Sequence, residues 1–259
     1  MRRIRLKSVL QRKVAVAFVS ILLCVGGAVA LNETEIISTM AKADRKLPIY
    51  CVETDEKKIS ISFDAAWGAD DTDELIEILN ENDVKTTFFM CGYWVEKYPE
   101  EVMKIALAGH DLGNHSSTHP HINQLTKAQI KKELQDTHEK VYQLTGYEMD
   151  LFRPPFGEYN NTVLEVAEDE GYYTIQWDVD SLDWMEHGVQ AEIDRVLNHK
   201  NLRNGSIVLF HNDAKYTPAA LDTIIKGLKA KGYEIVPLSE LIHRQGYHMD
   251  HEGRQVLDN

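Results

Sequence analysis

Basic side chains are in short supply in this chain of 259 residues: 28 Lys and Arg face 41 Asp and Glu, for a net charge of -13. Six of the basic residues crowd into the opening MRRIRLKSVLQRK, so the rest of the chain carries 22 basic against 41 acidic groups, a net charge of -19. A surface that acidic repels phosphate, which excludes nucleic acid and an anionic membrane surface as partners of the folded part. Cysteine is nearly absent. Of the three, Cys24 sits in an apolar run, and Cys51 and Cys91 are too few to form a disulfide scaffold. Whether those two pair is left open by the sequence, and Cys91, closing the run TTFFMC, reads as a small core residue. Low-complexity tracts and internal repeats are lacking, which removes solenoids and arrays from consideration. Long hydrophobic runs are lacking with one exception, VAVAFVSILLCVGGAVAL from Val14 to Leu31, 18 residues without a charge.

That run behind a basic flank reads as a secretory signal ending at Ala28-Val29-Ala30 or as an uncleaved anchor. Either one places the folded part outside the cytoplasmic membrane, anchored or secreted to the cell wall. Residues 32–57 read as a stalk and entry strand, 58–242 as one catalytic-sized domain, and 243–259 as a polar, mobile tail. Within the domain, strand-like and helix-like segments alternate. ISISFDA, TTFFMC, YYTIQWD and SIVLFHN have strand character, whereas DTDELIEILNEN and TPAALDTIIKGLKAKG repeat apolar residues at helical spacing. Thr126 and Gln129 are placed for a capping box, and Gly109, Gly171 and Gly232 for left-handed helix ends. Repeated βα units imply a parallel sheet with right-handed crossovers, and about seven of them predict an α/β fold, a distorted β/α barrel. In such barrels the chemistry sits where strands end, and Asp64, His115, Arg153 and His211 all fall there.

Each of these groups has an ordinary explanation beside a chemical one. His115 and His119, in NHSSTHPH, are spaced to meet one ion from a helical turn, or are two solvated loop histidines. RPPFG, Arg153 to Gly157, is a rigid loop that can hold an arginine for a directional ion pair, or simply an exposed arginine. WDVDSLDW, Trp177 to Trp184, sets carboxylates between tryptophans, which suits a sugar cleft and equally suits packing with a polar rim. His211 ends an apolar strand, where a satisfied core histidine is the usual occupant.

Taken in order, SFDAAW, HSSTH, RPPF, DSLDW and LFH resemble the five motifs of the polysaccharide deacetylases, the NodB-homology proteins of carbohydrate esterase family 4. The resemblance runs from about Lys58 to Ile242 and is nearest the Gram-positive sporulation and peptidoglycan branch. It implies metal-dependent removal of acetyl groups from a glycan, most directly N-acetyl groups of peptidoglycan. It further implies His115 and His119 as metal ligands, Asp64 as general base, Arg153 as its partner, and His211 as general acid oriented by Asp183. Trp184 and Leu209 would line a pocket for the acetyl methyl, and the Phe156 N–H would bind an oxyanion. The implied cofactor is one divalent ion, zinc before cobalt or nickel, and the implied partner is an N-acetylated glycan.

One position departs from the pattern. Ala65 stands where the family carries a second aspartate as metal ligand, and a methyl group binds no metal. Asp71, or less readily Asp70, can reach back over the Trp67-Gly68 turn to complete the set. Asp71 also precedes a helix with Glu74 three residues on, the arrangement of an N-cap, which is the favoured reading of it. The alternative for the whole protein is a catalytically impaired glycan-binding wall protein of the same fold.

Overall fold

The structure, a computed structural model, describes residues 45–258. Its strands are β1 (Cys51–Val52), β2 (Lys58–Ala65), β3 (Thr87–Met90), β4 (Asp111–Asn114), β5 (Leu151–Phe152), β6 (Tyr173–Thr174), β7 (Val179–Asp180), β8 (Ile207–His211), β9 (Glu234–Ile235), β10 (Tyr247–Met249) and β11 (Arg254–Leu257). Its helices are α1 (Thr72–Glu81), α2 (Gly92–Lys97), α3 (Pro99–Leu107), α4 (Lys127–Thr145), α5 (Asn161–Asp169), α6 (Val189–Leu197), α7 (Thr217–Ala230) and α8 (Leu238–Leu241). The leader and most of the stalk lie outside the described residues. Among those described, no helix is long and apolar enough to cross a membrane.

Seven parallel strands follow the order β6-β5-β4-β3-β2-β8-β7, and β9 pairs with the start of β2. This is the expected distorted β/α barrel, left open between β6 and β7. The entry segment occupies part of that gap, with Ile49 bridging Ile175 and Cys51 bridging Ser206. Strand alternation divides the interior. Ile59, Ile61, Phe63 and Ala65 of β2 join the core cluster shared with the helices, so Ser60, Ser62 and Asp64 point to the other face. On β8, Val208 and Phe210 join the same cluster, which leaves Leu209 and His211 on the face of Asp64.

The helices close that core with ordinary amphipathic stripes. Helix α4 buries Ile130, Leu134, Thr137 and Val141, and each large apolar side chain so removed from water contributes about 1.5–3 kcal/mol. Its capping box forms as expected between Thr126 and Gln129. Gly109, Gly171 and Gly232 take φ of 81°, 84° and 88° where α3, α5 and α7 end, a region costly for any residue with a Cβ.

Residues 243–258 correct the expectation of a mobile tail. β10 and β11 form an antiparallel hairpin, and β11 pairs in parallel with β1, giving a separate three-stranded sheet. Gln255 is fully buried there and its side chain bonds both the N–H and the carbonyl of His243. Polar side chains and backbone pairing hold this segment, so no apolar run announces it.

Candidate active site

Asp64 ends β2 as a buried carboxylate whose position is fixed by Arg153. The guanidinium is fully buried, and its Nη1 donates to Asp64 Oδ1 at 2.7 Å. Its Nη2 donates to Ser62 Oγ at 2.8 Å and to the Gln176 carbonyl at 3.2 Å, while the plane lies over the Phe89 ring at 4.2 Å. Burial alone would push the Asp64 carboxyl up; the charge of Arg153, aided by that of His211, outweighs it and holds the carboxyl below its usual range. On the far side, Asp64 Oδ2 is 3.6 Å from His115 Nε2.

His211, paired in register with Asp64 across β2 and β8, forms the opposite half. Its Nδ1 lies 2.8 Å from Asp183 Oδ1, and its backbone N–H donates to Asp183 Oδ2 at 2.6 Å. The Trp184 N–H donates to the same carboxylate at 2.8 Å. Burial works against the imidazolium, but the Asp183 hydrogen bond and charge, then Asp64 and Asp180, raise the His211 pKa above its ordinary value. Behind Asp183 stands a pair no sequence motif marked. Thr217 Oγ1 is 3.3 Å from Asp183 Oδ2 and 3.0 Å from Glu192 Oε1. One hydroxyl proton serves only one of two carboxylates, so bonds at both contacts need one of the two carboxyls to carry a proton. Burial indeed raises the Glu192 carboxyl to about 7.

The loop after β2 is latched to the loop after β8. Asn212 Oδ1 accepts from the Ala66 N–H, Asn212 Nδ2 donates to the Gly68 carbonyl, and Asp213 Oδ2 accepts from the Gly68 N–H. A Cβ on Gly68 would lie 2.1 Å from Asp213 Oδ2, so the close approach depends on glycine. Trp67, only a turn residue by sequence, stacks on the His211 ring with centroids 5.0 Å apart. Asp71 belongs to this latch: its Oδ2 accepts from the Asp213 N–H at 2.7 Å. Burial raises its carboxyl to about 7. Two expectations change as a result. Asp71 occupies the N-cap position of α1 but makes no side-chain cap bond, and the structure does not bring it to the histidines. The carboxylate goes to a loop partner 142 residues away instead.

Among the described residues, one group of donors converges as a metal would require: Cys91, His115 and His119, with all three donor atoms within 4.8 Å of one another. His115 Nδ1 is 2.7 Å from the Arg153 carbonyl, an acceptor only, so Nδ1 carries the proton and Nε2 keeps a free lone pair. Burial depresses both imidazoles, His119 to about 4, and keeps them neutral and able to ligate. Two neutral converging imidazoles fit a divalent ion of borderline softness. Ala65 is fully buried in the apolar core and supplies nothing. Among the described residues Cys51 and Cys91 are both free and buried, so they do not pair with each other. Around the histidines the remaining expected residues split by exposure. Leu209 is buried; Phe156 is 57 % exposed with its ring against His119 and His121, Trp184 is 50 % exposed and Trp67 46 %.

A parallel β/α barrel carrying an ionised carboxylate and a carboxylate-bound imidazole on adjacent strand ends is the framework of an acid–base hydrolase. Residues 52–175 match the family model for polysaccharide deacetylase. The chain is 34% identical over 196 residues to the peptidoglycan-N-acetylglucosamine deacetylase of Bacillus cereus, covering 74% of this chain and 91% of that one. The chain belongs to the polysaccharide deacetylase family, a family of hydrolases that also holds pseudoenzymes. It is also 33% identical over 195 residues to YlxY, an uncharacterized protein of Bacillus subtilis, spanning 75% of this chain but only 60% of the relative. Wild-type BA3943 of Bacillus anthracis, a CE4 family pseudoenzyme, has a similar fold, with a TM-score of 0.72 at 32% identity over 81% of this chain and 70% of that one. A mutant of BA3943 with restored enzymatic activity matches at the same TM-score and 33% identity.

Proposed function

We propose that the protein hydrolytically removes N-acetyl groups from a cell-wall glycan, with peptidoglycan as the substrate, outside the cytoplasmic membrane. The observation that carries this reading is the pairing of Asp64 with His211 across β2 and β8, one held as a carboxylate and the other favoured as an imidazolium. An acetamide is a poor electrophile and its amine a poor leaving group, so hydrolysis needs a base for water and an acid for nitrogen. His115 and His119 would hold a divalent ion, zinc before cobalt or nickel, and such an ion would supply Lewis acidity for the acetyl carbonyl and for water.

Asp64, kept ionised by Arg153, takes the proton that water loses as its oxygen bonds the acyl carbon. His211 gives its Nε2 proton to nitrogen as the C–N bond breaks, leaving acetate and a free amine. Asp183 holds Nδ1, which fixes the ring's orientation and stabilises its charged form. The Phe156 N–H serves the oxyanion, Leu209 and Trp184 take the acetyl methyl, and the exposed rings of Trp67 and Trp184 offer stacking faces to sugars. The uncharged run behind a basic flank supports the location, and the likeness to the peptidoglycan deacetylase of Bacillus cereus supports the substrate.

Acetate release from peptidoglycan and from N-acetylglucosamine oligomers is the test, with Asp64→Asn and His211→Ala beside the parent. Release that is undiminished in both variants would end this reading. The second reading is glycan binding without turnover, favoured by Ala65 and by the likeness to BA3943. Saturable binding of glycan with no acetate under zinc, cobalt or nickel would select it.

A further inference from the structure

We propose that Cys91 is the third protein donor of a divalent-ion site completed by His115 and His119, a thiolate standing in for the carboxylate that Ala65 lacks. The purpose of the ion rests on the deacetylase reading; its binding does not.

The case starts from placement. Cys91 follows β3 directly and its N–H donates to the Ala65 carbonyl at 3.1 Å, so it sits at the end of the strand beside the vacant family position. The His115 N–H donates to the Met90 carbonyl at 3.0 Å, which ties the neighbouring donor to the same strand end. The His119 N–H donates to Ser116 Oγ at 3.1 Å, so all three donors hang from bonded backbone. The His115 and His119 rings lie edge to face with centroids 5.0 Å apart. Two imidazoles on one tetrahedral ion also have centroids about 5 Å apart, given metal–nitrogen bonds of about 2 Å. Tetrahedral sulfur and nitrogen ligands lie about 3.5 Å from each other, so side-chain adjustments of about 1 Å bring the three atoms onto one ion.

The other candidates are held elsewhere. Ala65 has no donor, Asp71 is tied by Oδ2 to the Asp213 N–H and is not among the donors that converge on the histidines, and Asp64 is tied by Oδ1 to Arg153. Without an ion, Cys91 Sγ lies 3.4 Å from the His115 carbonyl as a neutral thiol in a fully buried position. Binding exchanges that contact for a sulfur–metal bond, and the thiol proton leaves to solvent. A site of one thiolate and two imidazoles selects zinc or cobalt over magnesium or manganese, because soft donors suit those ions.

The test loads the full chain with cobalt(II) alone and records its absorption spectrum. A near-ultraviolet sulfur-to-cobalt charge-transfer band is expected. It should be lost in Cys91→Ala and Cys91→Ser, with affinity for cobalt down at least about 100-fold, and kept in Cys51→Ala and Asp71→Ala. Circular dichroism on each variant separates loss of the band from loss of the fold, and His119→Ala, which should also lose it, covers the case in which the Cys91 variants do not fold. Cobalt bound with ligand-field bands only, a charge-transfer band that survives in Cys91→Ser, or no bound cobalt would each overturn the proposal. Acetate release from the same samples is scored separately. A sulfur-ligated ion without acetate sinks the deacetylase reading alone, and acetate release with a histidine-only spectrum sinks the Cys91 proposal alone.

Discussion

Replacing Arg153 by Leu removes the guanidinium bonded to Asp64 in the barrel interior and leaves a buried carboxylate without its ion-pair partner. The guanidinium is wholly buried and makes bonds to Asp64, Ser62 and Gln176, so water does not substitute for it. Removing one partner of a buried ion pair costs about 3–5 kcal/mol, and Arg153→Leu should lose that much in urea unfolding near neutral pH. The loss should depend on pH in one direction. In the parent, the depressed Asp64 pKa contributes stability above its unfolded value of about 3.9, lost only as pH falls through the folded value. In the variant, burial acts unopposed by Arg153 and raises the carboxyl, so acid protonates it and the deficit shrinks by up to about 1.4 kcal/mol per pH unit. Adding Asp64→Asn removes the orphaned charge and should restore most of the loss. A deficit under about 1 kcal/mol near neutrality, or one unchanged on acidification, would refute the reasoning.

Asp183→Asn takes away the hydrogen bond and charge that do most to raise His211, leaving only Asp64 and Asp180 against burial. The imidazole pKa, followed by NMR, should fall, and kcat should drop by about 10⁴-fold; an imidazole that stays as raised as in the parent would show that Asp183 is not its partner. In the parent, activity should hold between the depressed Asp64 pKa and the raised His211 pKa, falling in acid as Asp64 protonates and in base as His211 deprotonates; a profile rising through the ordinary histidine pKa would contradict the assignment of acid and base. Glu192, raised from its ordinary 4.5 to about 7, holds more protons folded than unfolded between those values, so it makes stability fall as pH rises through that window. Glu192→Gln should flatten that slope in urea titrations, and an unchanged slope would place its source elsewhere.

What the sequence disclosed follows the range of the interactions. Capping boxes, glycine helix ends and apolar periodicity are local, and Thr126, Gln129, Gly109, Gly171 and Gly232 stand as read. The strand ends carrying Asp64, His115, Arg153 and His211 were also legible, since a polar residue closing an apolar run is a local signal. Contacts between distant loops left no such trace. Asp71 reads as a helix cap beside Glu74, yet its carboxylate goes to Asp213. Trp67 reads as a turn residue, yet it covers His211. Cys91 reads as core, and it is core; only the fold shows His115 and His119 converging on it. Glu192 and Thr217 sit on helices whose periodicity explains them fully, and their role behind Asp183 appears only once α6 and α7 pack together.

The central claim is hydrolysis of an N-acetyl group by an acid–base pair on adjacent strands, and acetate release by the full chain measures it most directly. With peptidoglycan and zinc or cobalt supplied, the parent should release acetate while Asp64→Asn and His211→Ala, both folded, should not. Folded parent protein that binds the glycan and releases no acetate with either ion would contradict the account.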